Sequence, residues 1–207
     1  MTLLLILGNV VVFVVTGQGA EAAGWSLQYG HGLHPFEWIA SNFVHFGWLH
    51  LIGNLIFLWA FGLIVEGKIG GWRFLLLYLL LGGWGRFIEQ TLMLGYDGGD
   101  SLRSCGASLC VYGLLAICAV WAPKNEVSCW MLFFYRGIEF EISLLTLGVW
   151  YIGVELLGAW WTGFRLGNSL LHLIGAALGF GVGAAMLRLR WVDCENWDLF
   201  ALWRGNY

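Results

Sequence analysis

Apolar residues come in long runs along this chain, and six stretches, 1–16, 46–65, 72–94, 104–122, 142–161 and 167–188, are mostly hydrophobic with few charges. A helix of about 20 such residues spans the hydrocarbon of a bilayer, and the six runs meet or nearly meet that length. The pattern predicts an all-α polytopic membrane protein, a bundle of six transmembrane helices with most of the chain inside the bilayer. Neither an internal repeat nor a Pro/Gly/Ser linker divides it, so residues 1–190 read as one membrane domain and 191–207 as a short cytoplasmic or interfacial tail. The segment between the first two runs, about 17–45, is a long loop without Lys or Arg, and its Trp25, Phe36 and Trp38 predict that it lies partly in the membrane interface.

Composition agrees with the pattern. Hydrophobic residues make up 59% of the 207 and charged residues 11%, against about 25% charged in ordinary soluble domains; mean hydropathy is +0.75. The small residues of Ala20-Glu21-Ala22 after the first run raise the question of a cleaved signal peptide, but no Lys or Arg precedes that run, which favours a first transmembrane helix. Cys105, Cys110, Cys118, Cys129 and Cys194 are odd in number, scattered and mostly within apolar runs, so they read as small packing residues. The net charge of −3, with no basic run, argues against nucleic acid as a partner.

Six helices alternate the sides on which loops fall. Lys68, Arg73, Lys124, Arg136, Arg188, Arg190 and Arg204 fall on one side and Arg86, Arg103 and Arg165 on the other, which places the first side and both termini in the cytoplasm. Trp25, Trp38, Trp48, Trp160 and Trp161 then belong to the outer interface, and Trp72, Trp121 and Trp191 to the inner one.

Four polar residues stand out within the apolar runs: His50 and Asn54 in the second, Ser108 in the fourth and His172 in the sixth. These three runs share a direction, and each residue lies near the outer end of its own, so all four reach one depth. Taken singly, a serine in such a helix usually bonds its own backbone, and an asparagine holds helices together. Ionisable groups at this depth are costly and tend to mark sites, which raises the interest of both histidines. His172 shares a face with Gly175, Gly179 and Gly183, a stripe that permits close helix contact. Gly106, Cys110 and Gly113 give the fourth run a narrow face, and Tyr112, one turn after Ser108, is placed to support an imidazole ring.

A serine hydroxyl needs a base, and a neutral imidazole serves near pH 7. His172 is the candidate base for Ser108, while His50, Asn54 and the free amides at the start of the fourth helix are candidate donors to a developing oxyanion. No Asp or Glu stands where a third member is expected, which predicts a Ser-His dyad. Glu155, in the middle of the fifth run, requires either a partner, for which Arg86 and Asn168 are candidates, or a raised pKa.

These residues resemble the rhomboid family of intramembrane serine proteases. The likeness rests on His45-x4-His50-x3-Asn54, on Gly106-x-Ser108 with Tyr112, on His172-x2-Gly175-x3-Gly179, and on Glu66 near the end of the second run, over about 36–185. It implies a six-helix bundle with a water-accessible cavity open to the outside, a Ser108–His172 dyad, and an oxyanion site made by the Ser108 amide, His50 and Asn54, without metal or cofactor. It also implies transmembrane protein substrates and a fifth helix acting as a lateral gate, where Glu155 is placed to influence substrate entry; small size, with no appended domain or targeting segment, separately predicts residence in a bacterial cytoplasmic membrane. The alternative is a catalytically silent rhomboid-like protein that binds transmembrane segments. A transporter or metal-handling protein using His31, His34, His45, His50 and His172 ranks below both, for want of a HExxH motif or grouped acidic ligands. Three positions depart from the family pattern. Leu109 follows the nucleophile where glycine is usual, and Leu171 precedes the sixth-run histidine where a small residue is usual; together they predict a contact between the fourth and sixth helices that is either wider or compensated elsewhere. Phe36-Glu37 replaces a Trp-Arg pair, reversing a charge at the embedded loop.

Overall fold

The computed structural model describes residues 1–17, 20–96, 103–133, 136–164 and 167–205. In chain order come α1 (Thr2–Thr16), α2 (Ala20–Trp25), β1 (Leu27–Gln28), α3 (Pro35–Ala40), α4 (Trp48–Ile69), α5 (Gly71–Leu92) and β2 (Arg103–Ser104). There follow α6 (Ser108–Trp121), β3 (Glu126–Phe133), β4 (Arg136–Ser143), α7 (Leu144–Trp161), α8 (Asn168–Arg188) and α9 (Leu199–Trp203). The fold is mostly helical. Three helices, α4, α7 and α8, are long and apolar enough to cross a bilayer; α1 and α6 are apolar but shorter, and the 22 residues of α5 carry Arg73, Arg86 and Glu89.

The bundle is built around α6, whose side chains are buried almost throughout, from Leu109 to Trp121. A helix that is apolar all round is satisfied by lipid or by neighbours on every side, and here neighbours surround it, with α4, α5, α7 and α8 all packing on it. Trp121 therefore does not anchor the bilayer interface as its position predicts: it is 1% exposed, and its indole Nε1 donates to the Gly183 carbonyl of α8 at 3.0 Å. The outer helices show lipid-facing sides instead, with Leu49, Trp72, Trp150 and Trp161 exposed.

The all-α expectation needs one correction, because β3 and β4 form an antiparallel hairpin registered from Glu126↔Ser143 to Phe133↔Arg136. Its cause is visible in Ile138, Phe140 and Ile142 alternating with Glu139 and Glu141, the two-residue period of a strand with unlike faces. The loop of about 17–45 is likewise structured, with α2 and α3 within it and β1 pairing with β2. Residues after 190 pack back on the bundle: Val192, Cys194 and Leu199 join the core, and the Asp198 carboxylate caps α9 by accepting from Phe200 N and Ala201 N. All five cysteines are free thiols.

Candidate active site

The site forms where the N-terminal ends of α4, α6 and α8 meet. α6 begins at Ser108, four residues later than the apolar run predicts, because the preceding Gly106 has φ +105°, outside any helix. A Cβ on Gly106 would lie 2.6 Å from both Cε1 and Nε2 of His50. This turn brings its backbone against the imidazole, and only glycine permits that. Several groups pin it: Gly106 N donates to Ser41 O at 2.8 Å, Arg86 Nη2 to Gly106 O at 2.8 Å, and Ala107 N to His45 Nε2 at 3.3 Å.

His45 accepts at Nε2 while its Nδ1–H donates to Phe43 O, so the ring is neutral. Burial, with the nearby His50 adding to it, lowers its pKa to about 4. Arg86 is the other organiser. Buried on α5, it pairs with Glu89 at 2.7 Å and also donates to Ser104 Oγ and Asn42 Oδ1; the Tyr29 hydroxyl donates to Glu89 as well. Arg86 is therefore an interior residue rather than an outer-loop charge, and Arg165, counted with it above, lies outside the described residues.

Ser108, His172, His50, Asn54 and Tyr112 all line one cavity of about 290 Å³, with Arg86, Cys105 and Asn168 among its other walls. His31 and His34 are not in it. Asn54 Nδ2 uses one N–H on the His50 carbonyl at 2.8 Å, one helical turn back, which leaves its second N–H available. Among the described residues the Ser108 hydroxyl and the His172 ring make no hydrogen bond to each other; such catalytic contacts often tighten only with substrate bound. The Tyr112 ring stacks on His172, centroids 4.2 Å apart and planes 8° from parallel.

Three expectations are refined. Glu155 pairs neither with Arg86, which is taken by Glu89, nor with Asn168. Its Oε1 lies 2.7 Å from His172 Nδ1 and accepts from the Tyr112 hydroxyl at 2.6 Å. The sequence reading missed this because a separation of 17 residues across two helices leaves no local signature, although a mid-span carboxylate already demanded a partner. Of the two outcomes open for the α6–α8 contact, wider or compensated elsewhere, the structure shows the second. A Cβ at Gly175 or Gly179 would drive into the backbone carbonyls of Leu109 and Gly113, so the two backbones nearly touch. The Leu109 side chain, 1% exposed, turns away from α8 toward α5, over Gly85, where any side chain would collide with it. Glu37 does not face lipid headgroups either: it is buried, and its Oε2 accepts from Gln28 N and Gln90 Nε2.

The chain belongs to the rhomboid family: a family model described as Rhomboid domain matches residues 33–189, well over half of it. It is thus an integral membrane protein. It is 27% identical over 156 residues to Rhomboid-type serine protease 2 of Emericella nidulans, an alignment that covers 74% of this chain and 27% of the relative. Over 177 residues it is 27% identical to rhomboid protease GlpG of Yersinia pestis, covering 82% of this chain and 55% of the relative, and the same figures hold for GlpG of Yersinia enterocolitica. The chain therefore spans between about a quarter and about half the length of these relatives.

Proposed function

We propose that this protein is an intramembrane serine endopeptidase that cleaves transmembrane segments of other membrane proteins. The observation that carries the reading is the convergence of Ser108, His172, His50 and Asn54, from three helices, on one cavity. Ser108 Oγ attacks the scissile carbonyl carbon as its proton passes to His172, and the carbonyl π electrons move onto the oxygen. That oxyanion sits at the open end of α6, where first-turn N–H groups lack intrahelical partners, and His50 and Asn54 donate to it. His172 then gives its proton to the leaving amine as the C–N bond breaks, and water releases the acyl group by the same steps. Gly106 keeps His50 against the turn, Gly175 and Gly179 hold α8 close to α6, and Tyr112 supports the imidazole face.

A substrate helix must unwind locally before attack, since its carbonyls are shielded and already hydrogen-bonded. We read the orientation as both termini cytoplasmic in a bacterial cytoplasmic membrane, with six membrane-spanning helices and the cavity facing outside. The rival reading, a silent protein that only binds transmembrane segments, drew its support from Leu109. That support weakens with Leu109 seated over Gly85 and the α6–α8 contact tight.

Protein reconstituted in lipid with a transmembrane reporter substrate tests the assignment. Ser108→Ala and His172→Ala are each expected to lower cleavage by at least about 10³-fold, and a fluorophosphonate is expected to label Ser108 in the wild type alone. Cleavage that survives Ser108→Ala sinks the reading.

A further inference from the structure

We propose that Glu155 is a positioning residue for His172, converting the expected dyad into a Ser108–His172–Glu155 relay whose acid stands on a neighbouring helix. The inference rests on the protease reading above and deepens it.

The geometry is specific. One carboxylate oxygen, on α7, receives groups from both of the helices that build the site: His172 Nδ1 of α8 at 2.7 Å and the Tyr112 hydroxyl of α6 at 2.6 Å. The carboxylate is buried between these helices, with a side-chain exposure of 12%. A carboxylate only accepts, so Nδ1 must carry the proton, and the base lone pair is then confined to Nε2, the nitrogen left for Ser108. The stacked Tyr112 ring fixes the face of the imidazole, while its hydroxyl fixes the carboxylate that fixes Nδ1. Tautomer, tilt and rotation are thereby set together.

The carboxylate also contributes charge. When His172 takes the Ser108 proton it becomes an imidazolium at a depth where water is scarce, and Glu155 lies in contact with it throughout. No proton reaches Glu155. The Nδ1–H stays on nitrogen, the Nε2 proton goes on to the leaving amine, and the carboxylate ends the cycle as it began, the role a buried acid plays in a serine-protease triad. A structural role alone, tying α7 to α8, does not require that the histidine nitrogen opposite the base be the one engaged.

Glu155→Gln keeps the shape and removes the charge. Measured against wild type in lipid, kcat for a transmembrane substrate is expected to fall by about 10²–10⁴-fold with KM changed less than about threefold. Fluorophosphonate labelling of Ser108, which uses the same base with a small reagent, should slow by a comparable factor. Glu155→Asp is expected to recover part of both rates. Labelling unchanged within about twofold overturns the proposal, and a slowed transmembrane substrate with normal labelling gives Glu155 a role in substrate entry instead. If the Gln variant does not fold, the Asp variant decides by the same two rates: both slowed supports the proposal, and labelling at the wild-type rate overturns it. Cleavage or labelling that survives Ser108→Ala defeats the protease reading, and that result is distinguishable because it does not involve Glu155.

Discussion

His45 has no room for a second proton. Its Nε2 is occupied as an acceptor for Ala107 N and its Nδ1 as a donor to Phe43 O, and burial puts its pKa at about 4, below the roughly 6.5 of an unfolded chain. A depressed folded pKa means that this contribution to stability is fully present above about pH 6.5 and is lost as pH falls toward 4, reaching about 3 kcal/mol at pH 4. His45→Gln offers the same donor and acceptor without titrating. Thermal unfolding followed from pH 7 to pH 4 should show the wild type losing more stability than the variant, and parallel curves would rule the account out. Because His45 holds Ala107, the residue before Ser108, the same acidification is expected to loosen the turn on which Ser108 stands.

At the scale of elements, the α6–α8 seam rests on a graded set of contacts. A Cβ at Gly179 meets the immovable Gly113 carbonyl, whereas one at Gly183 falls 3.4 Å from Ile117 Cα, an ordinary contact. Gly179→Ala should therefore cost about 1–3 kcal/mol or more by overpacking, and Gly183→Ala little, as thermal unfolding in detergent would report; equal effects would mean that the seam can slide. The six long helices are legible in the sequence, to within a few residues, because apolar runs of that length have few alternatives, whereas the short α2, α3 and α9 are not. The glycine ladder was legible for the same reason, its four-residue spacing marking one face. The β3–β4 hairpin does not stand out in the sequence since its alternation is short and half apolar, and hydrophobicity alone starts α6 too early because it does not register a positive φ at Gly106. Side-chain partners between helices, such as Glu155 with His172 or Leu109 with Gly85, have no sequence period and appear only when the bundle is assembled.

For the molecule as a whole, Arg86 is the point where the structured loop meets the bundle. Through one guanidinium, α5 ties its own Glu89 to Ser104, the Gly106 carbonyl and Asn42 of the segment after α3. Arg86→Met leaves Glu89 buried without its cation, a change expected to cost about 3–5 kcal/mol. Adding Glu89→Leu should restore much of that stability but not cleavage, because the Gly106 carbonyl still lacks its donor; unfolding and turnover measured on the same samples test this, and full recovery of both would show that the ion pair alone mattered. The site thus depends on the outer segment as well as on its own three helices.

The seat of Leu109 over Gly85 has a historical side. The two positions can change only in a certain order: while Leu109 stands, no side chain is open to position 85, and shrinking Leu109 first leaves a void between α5 and α6. A residue beside Ser108 that looks like a defect in a motif is therefore half of a packed pair, and its meaning is written on a different helix.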